Sequence, residues 1–158
     1  WGGAAVSEDH GVTWSYAEVT AGNLGLEAVA FGGGRWVAVG SGGWAYRSTD
    51  GFSWNSVQVP DAFFLGNLIH DGTRFVAAGQ YRNTVQRGIV SRSTDGASWT
   101  TVQIDGTSRI DELAYGNGVY VGAGGLLVTV SPDVTNWTVV NGAPPLTKIA
   151  FGGGRFLG

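Results

Sequence analysis

The feature that most constrains this chain is a phrase that it repeats four times. "SEDHGVTW" (7–14), "STDGFSW" (48–54), "STDGASW" (93–99) and "SPDVTNW" (131–137) set Ser7, Ser48, Ser93 and Ser131 apart by 41, 45 and 38 residues. A second phrase interleaves with the first: "FGGGRWVAVG" (31–40), "HDGTRFVAAG" (70–79), "YGNGVYVGAG" (115–124) and the shorter "FGGGRFLG" (151–158). Two phrases alternating in this way require one supersecondary unit used again and again, each copy burying its apolar faces on its neighbours.

One unit, residues 26–59, reads as four short strands. "LEAVAF" is apolar at most positions and predicts a strand buried on both faces. "GGG" is a tight turn, "RWVAVG" a second strand, "SGG" another turn and "WAYRS" a third strand. "TDG" is a turn with a mechanism, because Asp accepts local backbone N–H bonds and Gly takes positive φ. "SWNSVQV" alternates as an outer fourth strand. Four antiparallel strands recurring at this period predict an all-β fold, a β-propeller of four-stranded antiparallel blades. The chain then holds four blade equivalents, one of them split: strands three and four at 4–20, blades at 24–59, 65–104 and 110–141, and strands one and two at 146–158.

Composition agrees. There are 28 Gly, 7 Trp, 5 Tyr and 7 Phe, and only 13% of residues are charged, which suits short strands and tight turns. A net charge of -3 gives no footing for nucleic-acid binding. No apolar run is long enough for a membrane helix, and no signal peptide is evident. The absence of Cys excludes disulfides and zinc thiolates. No His cluster suggests a metal, and no cofactor is expected. The Gly- and aromatic-rich composition inclines toward an extracellular or periplasmic location.

The phrase Ser-x-Asp-x-Gly-x-Thr-Trp, met in full at Ser7, Asp9, Gly11, Thr13 and Trp14, resembles the Asp-box (BNR repeat) of sialidase-like β-propellers. The copies Ser48, Asp50, Gly51, Trp54 and Ser93, Asp95, Gly96, Trp99 are one residue shorter before the Trp. The copy Ser131, Asp133, Trp137 lacks the Gly and carries Pro132. The resemblance implies that each box braces the turn between strands three and four, with its Trp packed between blades. These residues are therefore expected to be structural. Calcium binding or catalysis is the competing reading, but four near-equal copies around a ring rarely form one active site. Trp36 shares the slot of Phe75, Tyr120 and Phe156 and is expected in the core.

Antiparallel order places the Asp-boxes and the Gly-rich turns on one face. The turns between strands two and three lie on the other, with the blade-to-blade links. Variation collects on that second face, where binding loops belong. The most divergent segment is "QYRNTVQRG" (80–88), where Gly79 to Ser93 spans 14 positions against 8 from Gly40 to Ser48. Tyr81, Arg82, Asn83, Gln86 and Arg87 are its candidate ligand residues. Arg forks onto carboxylates and Tyr stacks on sugars or peptides. The bland alternative is a longer solvated hairpin. Phe63 in the link 60–67 and Arg109 in the link 105–112 join the same face, and of Phe63 and Phe64 one is expected to pack and one to be exposed. Trp1 and Trp44 fall outside the repeated slots. Trp44 is the better surface candidate of the two, against a strand-interior role.

The expected function is a non-catalytic binding or scaffold propeller that takes a glycan or a protein on these loops. Glycoside hydrolysis is the alternative. The resemblance implies an arginine triad for a sialidase, but the family's Arg-Ile-Pro motif is missing, and Arg35, Arg74 and Arg155 look structural. Paired carboxylates for hydrolysis come down to Asp111 or Glu112 with Glu27 or Asp61, and nothing marks them. A third reading is a repeat fragment whose property is folding and assembly. The two half-blades complement each other, since "FGGGRFLG" followed by "WGGAAVSEDHG" continues one pattern. The ends close within one chain, or two chains complete each other as an eight-bladed homodimeric ring, or the chain is part of a longer array. The last two are preferred to a lone four-bladed ring.

Overall fold

A computed structural model describes residues 2–20, 24–82 and 87–158, and every element in it is a strand. Three sheets are four-stranded, antiparallel and ordered as the chain runs. The first contains β3 (Leu26–Gly32), β4 (Arg35–Gly40), β5 (Trp44–Ser48) and β6 (Asn55–Gln58). The second contains β7 (Ala62–His70), β8 (Phe75–Tyr81), β9 (Gly88–Ser93) and β10 (Thr100–Ile104). The third contains β11 (Glu112–Gly116), β12 (Val119–Gly124), β13 (Leu127–Ser131) and β14 (Thr138–Val139). Two hairpins flank them, β1 (Gly3–Val6) with β2 (Ser15–Glu18), and β15 (Ala150–Gly152) with β16 (Arg155–Leu157). Each hairpin is a sheet of its own, without hydrogen-bonded pairing between the two among the described residues.

Turn chemistry sets the register. Gly33-Gly34, Asn117-Gly118 and Gly153-Gly154 all take positive φ at both positions, the geometry of the two-residue hairpin that matches strand twist. Those turns fix Phe31 opposite Trp36, Tyr115 opposite Tyr120 and Phe151 opposite Phe156. In the second sheet a longer turn, "DGTR", sets His70 opposite Phe75. All four are ring pairs, with centroids 4.5–4.9 Å apart. Such cross-strand pairs contribute about 0.5–1.5 kcal/mol beyond the area they bury.

Core forms where one sheet lies on the next. Val37, Val39 and Ala45 meet Leu65, Phe75, Ile89 and Trp99 between the first and second sheets. Val76, Ala78 and Val90 meet Ile110, Leu113, Tyr120 and Val134 between the second and third. Smaller clusters join the β1–β2 hairpin to the first sheet, through Val19 and Ala38, and the third sheet to Phe156. Because strand side chains alternate, each sheet presents one set forward and another backward. A glycine after the first strand makes the close approach work. A Cβ on Gly32 would fall inside the His70 ring, and one on Gly116 inside the Phe151 ring. Asp71 holds the same slot in the second sheet, and there it accepts a hydrogen bond from the Tyr120 hydroxyl.

Three expectations need correction. Residues 26–31 alternate instead of being buried on both faces, with Val29 58% and Phe31 53% exposed. Trp36 is 40% exposed, although Phe75 and Tyr120 in its slot are buried. Trp14 is 63% exposed, whereas Trp99 is buried. Val29, Phe31 and Trp36 face backward, and only the two strands of β1–β2 stand behind the first sheet where four stand behind the next two; Trp14 lies on the β1–β2 hairpin itself, with no sheet behind it among the described residues.

Gly116→Ala is expected to lower stability by about 1–3 kcal/mol through overpacking against Phe151. Phe75→Ala is expected to cost about 3–5 kcal/mol. Urea unfolding midpoints check both.

Candidate functional site

The repeated Ser-Asp turns use up their own polar groups. Ser48 Oγ donates to Asp50 Oδ1 at 2.8 Å and accepts from the Gly51 N–H at 2.8 Å. Asp50 Oδ1 also accepts from the N–H groups of Phe52 and Ser53, both at 2.8 Å. Trp54 Nε1 donates to the Gly51 carbonyl, which pins the ring to the turn. The same bonds recur at Ser93, Asp95, Gly96 and Trp99 and at Ser131, Asp133 and Trp137. The longer first copy keeps them with Ser7, Asp9, Gly11 and Trp14. At Val134 the Gly is absent, yet the residue still takes φ 71 and donates its N–H to Ser131 Oγ. Hydrogen bonding, not glycine, therefore defines the turn.

Those bonds also tune the carboxylates. The N–H groups of Ser53 and Phe52 hold Asp50 at about 2, those of Ser98 and Ala97 hold Asp95 at about 2, and Thr13, by side chain and then backbone, holds Asp9 at about 2. The backbone and side-chain amides of Asn136 hold Asp133 lower still. Between sheets, Arg35 Nη1 donates to the Asp95 carbonyl at 3.2 Å, and Arg92 Nη1 to Thr135 Oγ1 at 2.8 Å. These acids are charged acceptors at neutral pH, unsuited to proton transfer there.

The opposite face carries the candidate ligand residues. Strand direction brings the turns at 41–43 and 125–126, Arg82 and Arg87, and the links at 59–61 and 105–111 to this end. Arg82 is a clamp: its Nε donates to the Ala62 carbonyl at 3.1 Å and its Nη2 to the Gly42 carbonyl at 2.7 Å. Arg87 donates to Gln103 Oε1 and pairs with Asp105 at 3.4 Å. Arg109 pairs with Asp111 at 2.9 Å. Tyr81 is half-buried against the core between the first two sheets. Trp44 is half-buried beside Val19 and Tyr46, which matches the strand-interior alternative. Phe63 and Phe64 lie in β7 and not in a link at 60–67, because pairing with β8 begins at Ala62; Phe63 is 55% exposed while Phe64 is half-buried, as the adjacent pair implied. Asn83, Gln86 and Trp1 lie outside the described residues.

The structure joins part of this set. Phe63 directly follows Ala62, whose carbonyl Arg82 grips, and the Arg82 N–H donates to the Asp61 carbonyl at 2.7 Å. Gly88, next to Arg87, lies against the Arg109 backbone and donates its N–H to Thr107. Leu126, missed in the sequence, is 79% exposed on the β12–β13 turn. A Leu at the tip of a Gly-Gly turn was the available signal, since such tips are normally polar.

The carboxylates considered for hydrolysis are engaged or apart. Asp111 is held by Arg109, and Glu112 accepts from Asn67 Nδ2 and Lys148 Nζ. A cleft of about 440 Å³ between β1 and the first sheet includes one carboxylate, Glu27, among apolar residues. Among the described residues, no three His, Asp or Glu side chains gather as a metal site.

No family model matches the chain, and no curated protein matches it. Solved structures do. A nidogen/laminin complex overlays at a TM-score of 0.68 with 12% identity, over 93% of this chain and 59% of that one. YCF48 bound to D1 peptide overlays at 0.68 with 20% identity, over 98% and 52%. A glycosyl hydrolase from Bacteroides ovatus reaches only 0.46, with 16% identity over 80% and 51%, too loose to bear on function. The chain thus spans between half and three-fifths of the first two. What they share with it is the β-propeller fold.

Folded Asp9, Asp50 and Asp95 titrate below the ordinary 3.8. The stability they supply is therefore complete above about pH 4 and is lost as pH falls toward 2. Asp95→Asn is expected to flatten that acid limb in a pH series of urea midpoints. Ser93→Ala strands the buried Gly96 N–H and is expected to cost about 1–3 kcal/mol at neutral pH.

Proposed function

We propose that this chain is a non-catalytic, protein-binding propeller unit of the Asp-box type. It takes a peptide or protein segment on the face opposite the Ser-Asp turns. The observation that carries the reading is the exposure of apolar side chains on a face whose arginines are partly engaged by the chain itself. Phe63 and Leu126 are 55% and 79% exposed. Arg82, Arg87 and Arg109 hold carbonyls, an amide and carboxylates of the chain itself. Arginines and apolar anchors on one face resemble the composition of a protein interface, where buried aromatic and aliphatic contacts dominate affinity.

Two further points support it. The hydrogen-bonded turns at 48–54, 93–99 and 131–137 fit the Asp-box role of turn brace and leave the opposite face as the variable one. The nidogen and YCF48 structures are, by their own descriptions, bound to a protein and a peptide. Their identity to this chain is low, so the partner class and not the partner is what carries over.

Selection of peptides from a random displayed library tests the reading. Binders are expected, and Phe63→Ser with Leu126→Ser should weaken them at least about tenfold, about 1.4 kcal/mol, with the fold intact by circular dichroism. Glycan-array binding that survives the double substitution, or hydrolysis on a panel of glycosides, would replace this reading.

A further inference from the structure

Two surfaces of this chain, at opposite ends of the sheet stack, each leave packing positions unfilled that the inner sheets fill. The first is the backward side of the first sheet. There Val29, Phe31 and Trp36 are 58%, 53% and 40% exposed. Their counterparts by strand register in the second sheet are Leu68, His70 and Phe75, and in the third Leu113, Tyr115 and Tyr120. Leu68, Leu113, Phe75 and Tyr120 are all buried by the sheet behind them. Val29 and Trp36 line the cleft of about 440 Å³, with residues 3–7, Trp14, Gly51, Trp54 and neighbouring residues of β3–β4, and Phe31 packs its ring on Trp36.

The second surface is the forward side of the β15–β16 hairpin. Gly152 holds the slot of Gly32 and Gly116, but nothing lies within 4 Å of a Cβ built on it. In the other two slots that space is filled by His70 and by Phe151, the first ring of the next pair. Phe31 is the same ring of its own pair, and no Gly lies under it. Leu157 repeats the logic. It holds the slot of Val37, which is fully buried with its Cγ2 against Gly96 of the next Ser-Asp turn. Leu157 is 76% exposed. Gly51, the counterpart of Gly96, touches only Val6 of β1, where Gly96 meets both Val37 and Arg47.

Each surface therefore lacks what the other offers: a ring without a glycine, and a glycine without a ring. A leucine lacks its turn, and a turn lacks its aliphatic partner. We propose that the β15–β16 hairpin of one copy docks into the cleft of a second copy and that the exchange is mutual. Phe31 then seats on the partner's Gly152, the partner's Leu157 fills the space above Gly51, and β16 adds to the free edge of β1. This interface repeats the sheet-on-sheet packing used inside the chain. Exchange closes a two-fold pair, so neither end remains open. Two copies also supply about the length of the propellers that the chain resembles, since it spans 59% and 52% of them. The inference is independent of the ligand face, which lies at the strand ends and not between sheets.

Sedimentation of the 158-residue chain should give twice its 16.4 kDa mass. Gly152→Trp, whose Cβ meets no neighbour in the single chain, should fill the seat and yield a folded monomer by circular dichroism, as should Phe31→Asp. Mixing the two variants restores one native junction per pair, so the two-chain species should return with a dissociation constant at least about tenfold tighter than either variant alone. A monomeric parent chain overturns the proposal. So does a pair unaffected by Gly152→Trp, a mixture no more associated than its components, or an open ladder of masses in place of a closed pair.

Discussion

The structure depends on one contact: an aromatic ring of one sheet laid on a residue of the sheet before it that has no side chain to obstruct it. His70 over Gly32 and Phe151 over Gly116 set how closely the sheets approach. Close approach lets small residues such as Ala45 and Ala77 become fully buried core. It accounts for Gly32 and Gly116, while fourteen other glycines among the described residues take positive φ. Where the slot holds Asp71, the tyrosine hydroxyl of Tyr120 takes the place of steric fit. Burial alone would raise the Asp71 carboxyl, but bonds from Tyr120, Thr73 and Arg74 outweigh it and hold the group below its ordinary value.

The Ser-Asp turns do a different job. They supply backbone N–H groups with acceptors at a point where the chain reverses outside the ladder, and they anchor a Trp whose ring covers the gap to the sheet behind. Trp99 is buried because that sheet is complete, and Trp14 is exposed because it projects beyond the first two strands of the stack. Identical local bonding thus produces opposite burial. The difference lies in what stands behind the turn.

Much of this was legible from residue order. The strands of the unit at 26–59, the turns at 33–34 and 117–118, the local bonding of the Ser-Asp turns and the division into two faces followed from repetition and turn chemistry. The candidate ligand face was less legible. Arg82 is a cation in a divergent loop, and only the carbonyls of Ala62 and Gly42 reveal that it is a clamp. Arg109 and Asp111 are two residues apart, so their pairing was within reach of the sequence. Leu126 was overlooked because it continues an apolar run into β13.

By itself the sequence determined the repeated unit, its strand order and which turn residues brace it, because those rest on local sterics and hydrogen bonds within a few residues. Only the tertiary structure decided which equivalent positions are covered. Trp36 and Phe75 occupy the same slot, each with a cross-strand ring beside it. One is exposed and the other buried, since burial belongs to the stack of sheets and not to the strand.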